Sequence, residues 1–324
     1  MSSTSPGLTW PDIEDARERI AGKVNVTPVL TSRTLDEWSG ARLHFKCENF
    51  QKGGAFKARG ATNAVFALPE SEARRGVATH SSGNHGAALA RAAALRGIQA
   101  YVVMPENAAQ AKRAAVARYG AEVTGCAPTL AARESTVRQV LAATGATLIH
   151  PYDDLLVMAG QGTAAVELLE AVPDLDVLLC PVGGGGLISG SAVAAKAVKA
   201  AIRVIGVEPA GADDAARSLH AGRIVPVEHP STVADGLRAT LGERPFAEIR
   251  RQVEAIITVT DEAIVRAMRQ LWEVMKIVVE PSGAVPYAAL LDAPAALRGR
   301  RIGIILSGGN LDLDHLPWMR AASS

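Results

Sequence analysis

The chain has 324 residues, 48% of them hydrophobic and 21% charged, with a formal net charge of +1; it is long enough to bury a sizeable core and has the composition of a globular protein. No basic block is present and no apolar run approaches a bilayer span, which argues against nucleic acid or membrane as a partner and favours small-molecule chemistry. The polar stretch 1–7 lacks the apolar segment of a signal peptide, and the scattered Cys47, Cys126 and Cys180 describe neither a disulfide framework nor a zinc site, so a cytoplasmic setting is expected.

In chain order, short β-type runs are read at 43–47, 77–80, 100–104, 147–150, 177–180, 203–207, 256–259 and 302–306. Several are continuously apolar, as expected of parallel strands covered on both faces. Between them lie Ala-rich helical patterns at 87–96, 109–119, 130–143, 160–171, 187–200 and 262–276. The alternation predicts an α/β fold with open, mainly parallel sheets covered by helices. The number of strands suits two sheets and hence two lobes, and no polar linker or internal repeat separates them.

Glycine-rich segments stand between strand and helix, where α/β proteins build their sites. The first is Gln51–Gly60, in which Lys57 follows a glycine pair and opens a helical run. Partly desolvated, its amine could form a Schiff base; a surface lysine is the ordinary alternative. The second is His80–Gly86, whose hydroxyls, amide and free N–H groups could bind a carboxylate, or could simply cap a helix from Ser82 or Asn84. The third is Pro181–Leu187, with four consecutive glycines, Gly183 to Gly186. Stripped of side chains and opening a helix, it reads as a phosphate cradle. A dinucleotide fingerprint would need a glycine where Ile188 or Ser189 stands, although Glu208 could imitate its ribose-binding acid. A fourth segment, Leu306–Asn310, places Ser307 at the end of the last strong strand, as a turn residue or as a partner for a heterocycle nitrogen.

Together these segments resemble the fold-type II pyridoxal-phosphate (PLP) enzymes, specifically the serine racemase and serine/threonine dehydratase family. The likeness runs from Thr27-Pro28-Val29 to Ser307-Gly308-Gly309-Asn310, through Glu48–Lys52, Ala159–Thr163, Ala234-Asp235-Gly236 and Met275–Pro281. The resemblance implies a larger PLP-binding domain (1–72 and 155–324), a small mobile domain (73–154) and a homodimer. It implies that Lys57 carries the cofactor and acts as base, that Phe56 packs near its ring, and that Asn84 contacts the ring oxygen. Gly183, Gly184, Gly185, Gly186 and Leu187 would hold the phosphate, and Ser307 would meet the pyridine nitrogen. Ser81, Ser82, Asn84 and His85 would surround the substrate carboxylate, with Arg133 at its distal end. Ser82 also matches the second-face base of racemases.

The resemblance further implies a divalent cation, Mg²⁺ or else Ca²⁺ or Mn²⁺, held by Glu208, the carbonyl of Ala212, and Asp214; from composition alone the same stretch is a solvated acidic loop. The activity implied is β-elimination of a small 3-hydroxy-amino acid (L-serine, L-threonine or 3-hydroxyaspartate) to a 2-oxo acid and ammonia, with racemisation as a side activity or as the main one. Ala55, Ala239 and Tyr152 depart from the commonest pattern and bear on the substrate rather than on the cofactor. Arg133 reads either as a distal-carboxylate ligand or as a helix-surface ion pair. Two other classes stay open on the residues alone: a dinucleotide oxidoreductase and a non-catalytic PLP-binding regulator.

Overall fold

The computed structural model describes residues 7–81, 83–108, 110–291 and 295–322; Ser82 and the expected helix start at Ala109 lie outside the described residues. The strands are β1 (Val29–Leu30), β2 (Arg42–Cys47), β3 (Val77–His80), β4 (Ala100–Pro105), β5 (Glu122–Cys126), β6 (Thr147–Leu148), β7 (Val177–Pro181), β8 (Arg203–Pro209), β9 (Ala255–Val259) and β10 (Arg301–Leu306). One sheet has the order β1-β2-β10-β7-β8-β9 and the other β5-β4-β3-β6. Every pairing is parallel except that of β1 with β2. The four strands of the smaller sheet all come from residues 77–148, whereas the larger sheet takes strands from either side of that stretch.

The apolar runs form strands because both faces are covered. β7 is buried throughout, and its side chains alternate between two cores. Val177 and Leu179 join Phe45, Val207 and Ile304 on one face. Leu178 and Cys180 join Val204 and Ile305 on the other. β2 lies beside β10 in register from Arg42–Arg301 to Cys47–Leu306, so the segments holding Lys57 and Ser307 leave neighbouring strand ends.

Two strands, β1 and β5, carry no apolar run and were not expected. β1 is a two-residue antiparallel edge, and β5 is an edge strand on which only Cys126 is buried. The helix expected from Gly160 begins at Leu155, because the Asp154 carboxylate accepts from the N–H groups of Leu156 (2.8 Å) and Val157 (3.2 Å). Its buried residues surround nearly the whole helix, which blurs the amphipathic period. Cys47, Cys126 and Cys180 are buried free thiols. No helix among the described residues is long and apolar enough to cross a membrane.

Candidate active site

Lys57 is the first residue of the helix Lys57–Ala67, directly after the turn 52–54. It is half-buried, and its amine donates a 2.7 Å hydrogen bond to the Pro151 carbonyl. The amine lies 5.0 Å from the Phe56 ring centroid. Burial brings its pKa down to about 8, so a sizeable neutral fraction exists near neutral pH. The peptide before it is tied to the end of β10: Phe56 N–H donates to the Ser307 carbonyl (3.0 Å), and Ala55 bridges Gly308. Ser307 itself is buried.

The glycine segment Gly183–Gly186 leaves β7 and opens the helix Gly186–Val198. A Cβ on Gly184 would fall into the Tyr152 ring, 2.5 Å from its Cδ1. One on Gly185 would meet Leu241 Cδ1 at 2.6 Å and Pro245 Cβ at 2.7 Å, and that residue holds a φ of +90°, open only to glycine without strain. One on Gly186 would lie 3.0 Å from the Tyr152 backbone. Glycine here is a requirement of close packing as well as of access, and the helix N-terminus adds free N–H groups and partial positive charge. Such a cradle fits a phosphate, and with Lys57 it fits PLP. Leu187 is buried in the first turn of that helix.

Asn84 does not cap its helix: it is the first residue of Asn84–Arg96, and Gly83 occupies the cap position without a side-chain bond. Its amide nitrogen donates to Glu280 Oε1 (3.0 Å) and Oε2 (3.3 Å), and its oxygen accepts from Asn310 Nδ2 (3.0 Å). Glu280 Oε2 also accepts from the N–H of Asn310 (3.1 Å). This buried carboxylate links the Gly83 and Ser307 turns, a role invisible in a sequence that places the partners almost 200 positions apart. Ser81 is half-buried and accepts from the N–H of Gly83 at 3.3 Å.

His85 is buried, with Nε2 3.3 Å from the Ile149 carbonyl. Burial, and then the charge of Lys57, hold its pKa well below the ordinary imidazole value. Burial likewise lowers His80, with Arg133 adding to the effect, and lowers His150 to about 4. The rings of His80, His150 and Tyr152 follow one another edge to face at centroid distances of 5.4 and 4.7 Å. His150 Nδ1 accepts from the N–H of Asp153 (2.9 Å), which fixes the turn carrying Pro151 and Tyr152. Arg133, on the helix Leu130–Thr144, is half-buried; its Nε is fully buried without a hydrogen-bond partner. It makes no ion pair among the described residues. Its charge lowers the pKa of His80 and works against the raised pKa of Tyr152.

Glu208, at the end of β8, and Asp214, opening the helix Asp214–Ala221, are both buried, as is Ala212. Burial raises Glu208 to about 8 and Asp214 to about 6. Glu208 accepts from the N–H groups of Ala215 (3.2 Å) and Ala216 (2.6 Å), and Asp214 accepts from that of Leu241 (2.8 Å). Two buried carboxylates that are costly to ionise would suit a hard cation, which would offset their charge. No cluster of three or more His, Cys, Asp or Glu side chains that could hold a metal occurs among the described residues.

Residues 20–308 match the family model described as pyridoxal-phosphate dependent enzyme. The chain is 50% identical over 310 residues to a beta-hydroxyaspartate dehydratase of Paracoccus denitrificans, covering 96% of this chain and 98% of that protein. It is 48% identical over 306 residues to the L-threo-3-hydroxyaspartate ammonia-lyase of Saccharomyces cerevisiae, covering 94% of each. Among solved structures it superposes on serine racemase from Dictyostelium discoideum with a TM-score of 0.90 at 48% identity, covering 94% of this chain and 99% of that one.

Proposed function

Because the chain belongs to the pyridoxal-phosphate-dependent enzymes, we propose that it eliminates water from a 3-hydroxy-amino acid, the released enamine then tautomerising and taking up water to give a 2-oxo acid and ammonia, with 3-hydroxyaspartate as the preferred substrate. The observation carrying the choice of substrate is Arg133, a cation with a buried, unpartnered Nε whose charge is felt at Tyr152. A second carboxylate on the substrate satisfies it, whereas serine and threonine leave the buried Nε–H unpaired, and an unmet buried donor is costly. Two of the similar proteins named above are a hydroxyaspartate dehydratase and a hydroxyaspartate ammonia-lyase, which supports the same reading.

In this reading the residues that would hold PLP are the N–H groups of Gly183 to Leu187 for its phosphate, Lys57 for its aldehyde carbon, Phe56 beside its ring, and Ser307 and Asn84 for its ring nitrogen and oxygen. PLP, when bound, supplies an electron sink for the bond broken at the substrate α-carbon. The Lys57 amine, once free, would take the α-proton as a neutral base; a pKa near 8 suits it to that task. Ser81, Ser82, Asn84 and His85 surround the α-carboxylate, and Arg133 orients the distal one. His85 stays neutral, its one ring N–H directed to the Ile149 carbonyl, and so lines the site without trapping the substrate as a fixed ion pair. Closure of residues 73–154 over the body formed by 1–72 and 155–324 excludes water from the proton transfer.

Glu208, the Ala212 carbonyl and Asp214 hold Mg²⁺ or a similar cation, and the protein works as a cytoplasmic homodimer. A serine racemase side activity would rest on Ser82, which in the family resemblance is the second acid-base residue. The test is 2-oxo acid release, with Mg²⁺ present, from the 3-hydroxyaspartate stereoisomers, L- and D-serine and L-threonine, with D-serine formation followed in parallel. Preferred turnover of a hydroxyaspartate is expected. Serine turned over as well as hydroxyaspartate would overturn the role of Arg133, and D-serine formation without elimination would make the protein a racemase first.

A further inference from the structure

Arg59 lies two positions after Lys57 on the same helix, so the two side chains leave opposite faces. Lys57 reaches Pro151, while Arg59 points into the body and is fully buried. Its Nε and Nη2 each donate to Glu48 at 2.8 Å, a two-pronged contact. Nη1 and Nη2 donate to the two oxygens of Glu167 at 2.7 and 2.8 Å, and Nη1 also reaches Thr163 Oγ1 at 3.1 Å. Lys46 Nζ completes the group, 2.5 Å from Glu167 and 2.7 Å from the Thr27 carbonyl. Two cations and two anions leave no net charge. The cluster is sealed, since Glu48 and Lys46 are buried and Glu167 nearly so.

These partners sit on β2, on the turn Glu48–Phe50 that follows it, and on the helix Leu155–Ala171. That helix follows directly on the turn bearing Pro151, the acceptor of the Lys57 amine. Arg59 thus clamps together the two elements from which the ends of the Lys57–Pro151 bond are hung. The same helices meet with no side chain between them, since a Cβ on Gly160 would lie 2.6 Å from Gly60 Cα. A shift of one helix is therefore carried to the other. A buried ionic cluster is weak support for stability, because desolvation offsets most of the attraction. What a planar five-donor fork held between two carboxylates does supply is a fixed geometry.

We propose that Arg59, through Glu48 and Glu167, is a positioning residue that sets where the Lys57 amine stands, an inference that rests on Lys57 being the cofactor lysine. Lysine in its place keeps the charge and loses the fork. The experiment compares the wild type, Arg59→Lys, Glu167→Gln and Leu271→Ala, all loaded with PLP. Leu271 is fully buried in the core on the far face of the larger sheet and serves as a purely structural control.

Turnover per Lys57-bound cofactor, KM, melting temperature and the pH profile of kcat are measured for each. Misplacing a reacting group predicts a loss in kcat of roughly 10- to 100-fold for Arg59→Lys, with KM changed by less than about threefold and the kcat profile displaced along the pH axis. Glu167→Gln, which keeps the acceptor's shape, should lose less in the same direction, and it decides the matter if Arg59→Lys does not fold. Leu271→Ala should lower the melting temperature with kcat and profile unchanged. Wild-type kcat and pH profile in the Arg59 or Glu167 variant, or an equal kcat loss in Leu271→Ala, would overturn the inference. Borohydride reduction marking a lysine other than Lys57 would instead overturn the proposed function beneath it.

Discussion

Replacing Gly184 by alanine tests the cradle through the one residue that closes over it. The new methyl would sit 2.5 Å from Tyr152 Cδ1, where carbon atoms normally rest about 3.5–4.0 Å apart. The ring must therefore move by about 1 Å, or the glycine backbone must give way. The ring is not free to move, because it stacks edge to face on His150, which holds the turn through the N–H of Asp153. Overpacking of this kind costs about 1–3 kcal/mol, equivalent to roughly 5- to 150-fold in affinity if the loop N–H groups bear the displacement. The assay is spectral titration of apoenzyme with PLP, with melting temperatures alongside.

Gly184→Ala should weaken PLP binding within that range, and adding Tyr152→Ala should restore it, because the nearest atoms to the new methyl are all in that ring. Gly185→Ala offers the contrast. Its left-handed φ and its contacts with Leu241 and Pro245 are untouched by Tyr152, so the same second substitution should rescue nothing. A Gly184→Ala/Tyr152→Ala protein as weak as Gly184→Ala alone, or a Gly185→Ala protein that is rescued, would refute the argument.

Recapture of PLP by apoenzyme should quicken as pH rises through about 8, because only the neutral Lys57 amine attacks; a midpoint near the free-lysine value of about 10.4 would remove the desolvation argument. The sign for stability follows: between about 8 and 10.4 the unfolded chain binds the extra proton, so this group makes the folded apoenzyme gain stability with rising pH, as denaturant midpoints across that window would report. Chelation should lower the melting temperature and Mg²⁺ restore it, by about 2–3 kcal/mol of stability at a hundredfold excess over Kd. Glu208→Gln should abolish that response, and a chelator-insensitive wild type would remove the metal. Arg133→Met should cut kcat/KM for 3-hydroxyaspartate by roughly 10- to 150-fold while leaving L-serine nearly unaffected; equal losses on both would deny the distal contact.

What the sequence made legible follows the physics of each segment. β7 and β10 announce themselves because a strand covered on both faces must be apolar throughout, and the four glycines announce a cradle because nothing else there has room for a side chain. β5 stays hidden because an edge strand with only Cys126 buried has no pattern to offer. Glu280 and Arg59 stay hidden for a different reason. An acid or an arginine in a sequence reads as surface, and only the fold shows that Asn84 and Asn310 close on the one, and Glu48 and Glu167 on the other. Tyr152 was visible only as a departure from a pattern; its contact with Gly184 gives that departure a consequence.

The electrostatics of the cleft bring these pieces into one account. Lys57, His80, His85 and His150 cluster there, and burial is the first cause of the lowered pKa of each. The three imidazoles are therefore neutral at pH 7, and they do not compete as cations for an anionic substrate or for the cofactor phosphate. Arg133 cannot shed its proton in the same way and keeps its charge. If PLP and 3-hydroxyaspartate bind as proposed, the lasting positive charge of Arg133 would meet the distal carboxylate, while the backbone dipoles of the glycine segment would hold the phosphate. Adding a second fixed cation, as in His80→Lys, should disturb that division: it should weaken discrimination between the two ends of the substrate, read as inhibition by the unreactive stereoisomers of 3-hydroxyaspartate. Unaltered inhibition constants in that variant would mean that shape, rather than the placement of charge, orients the substrate.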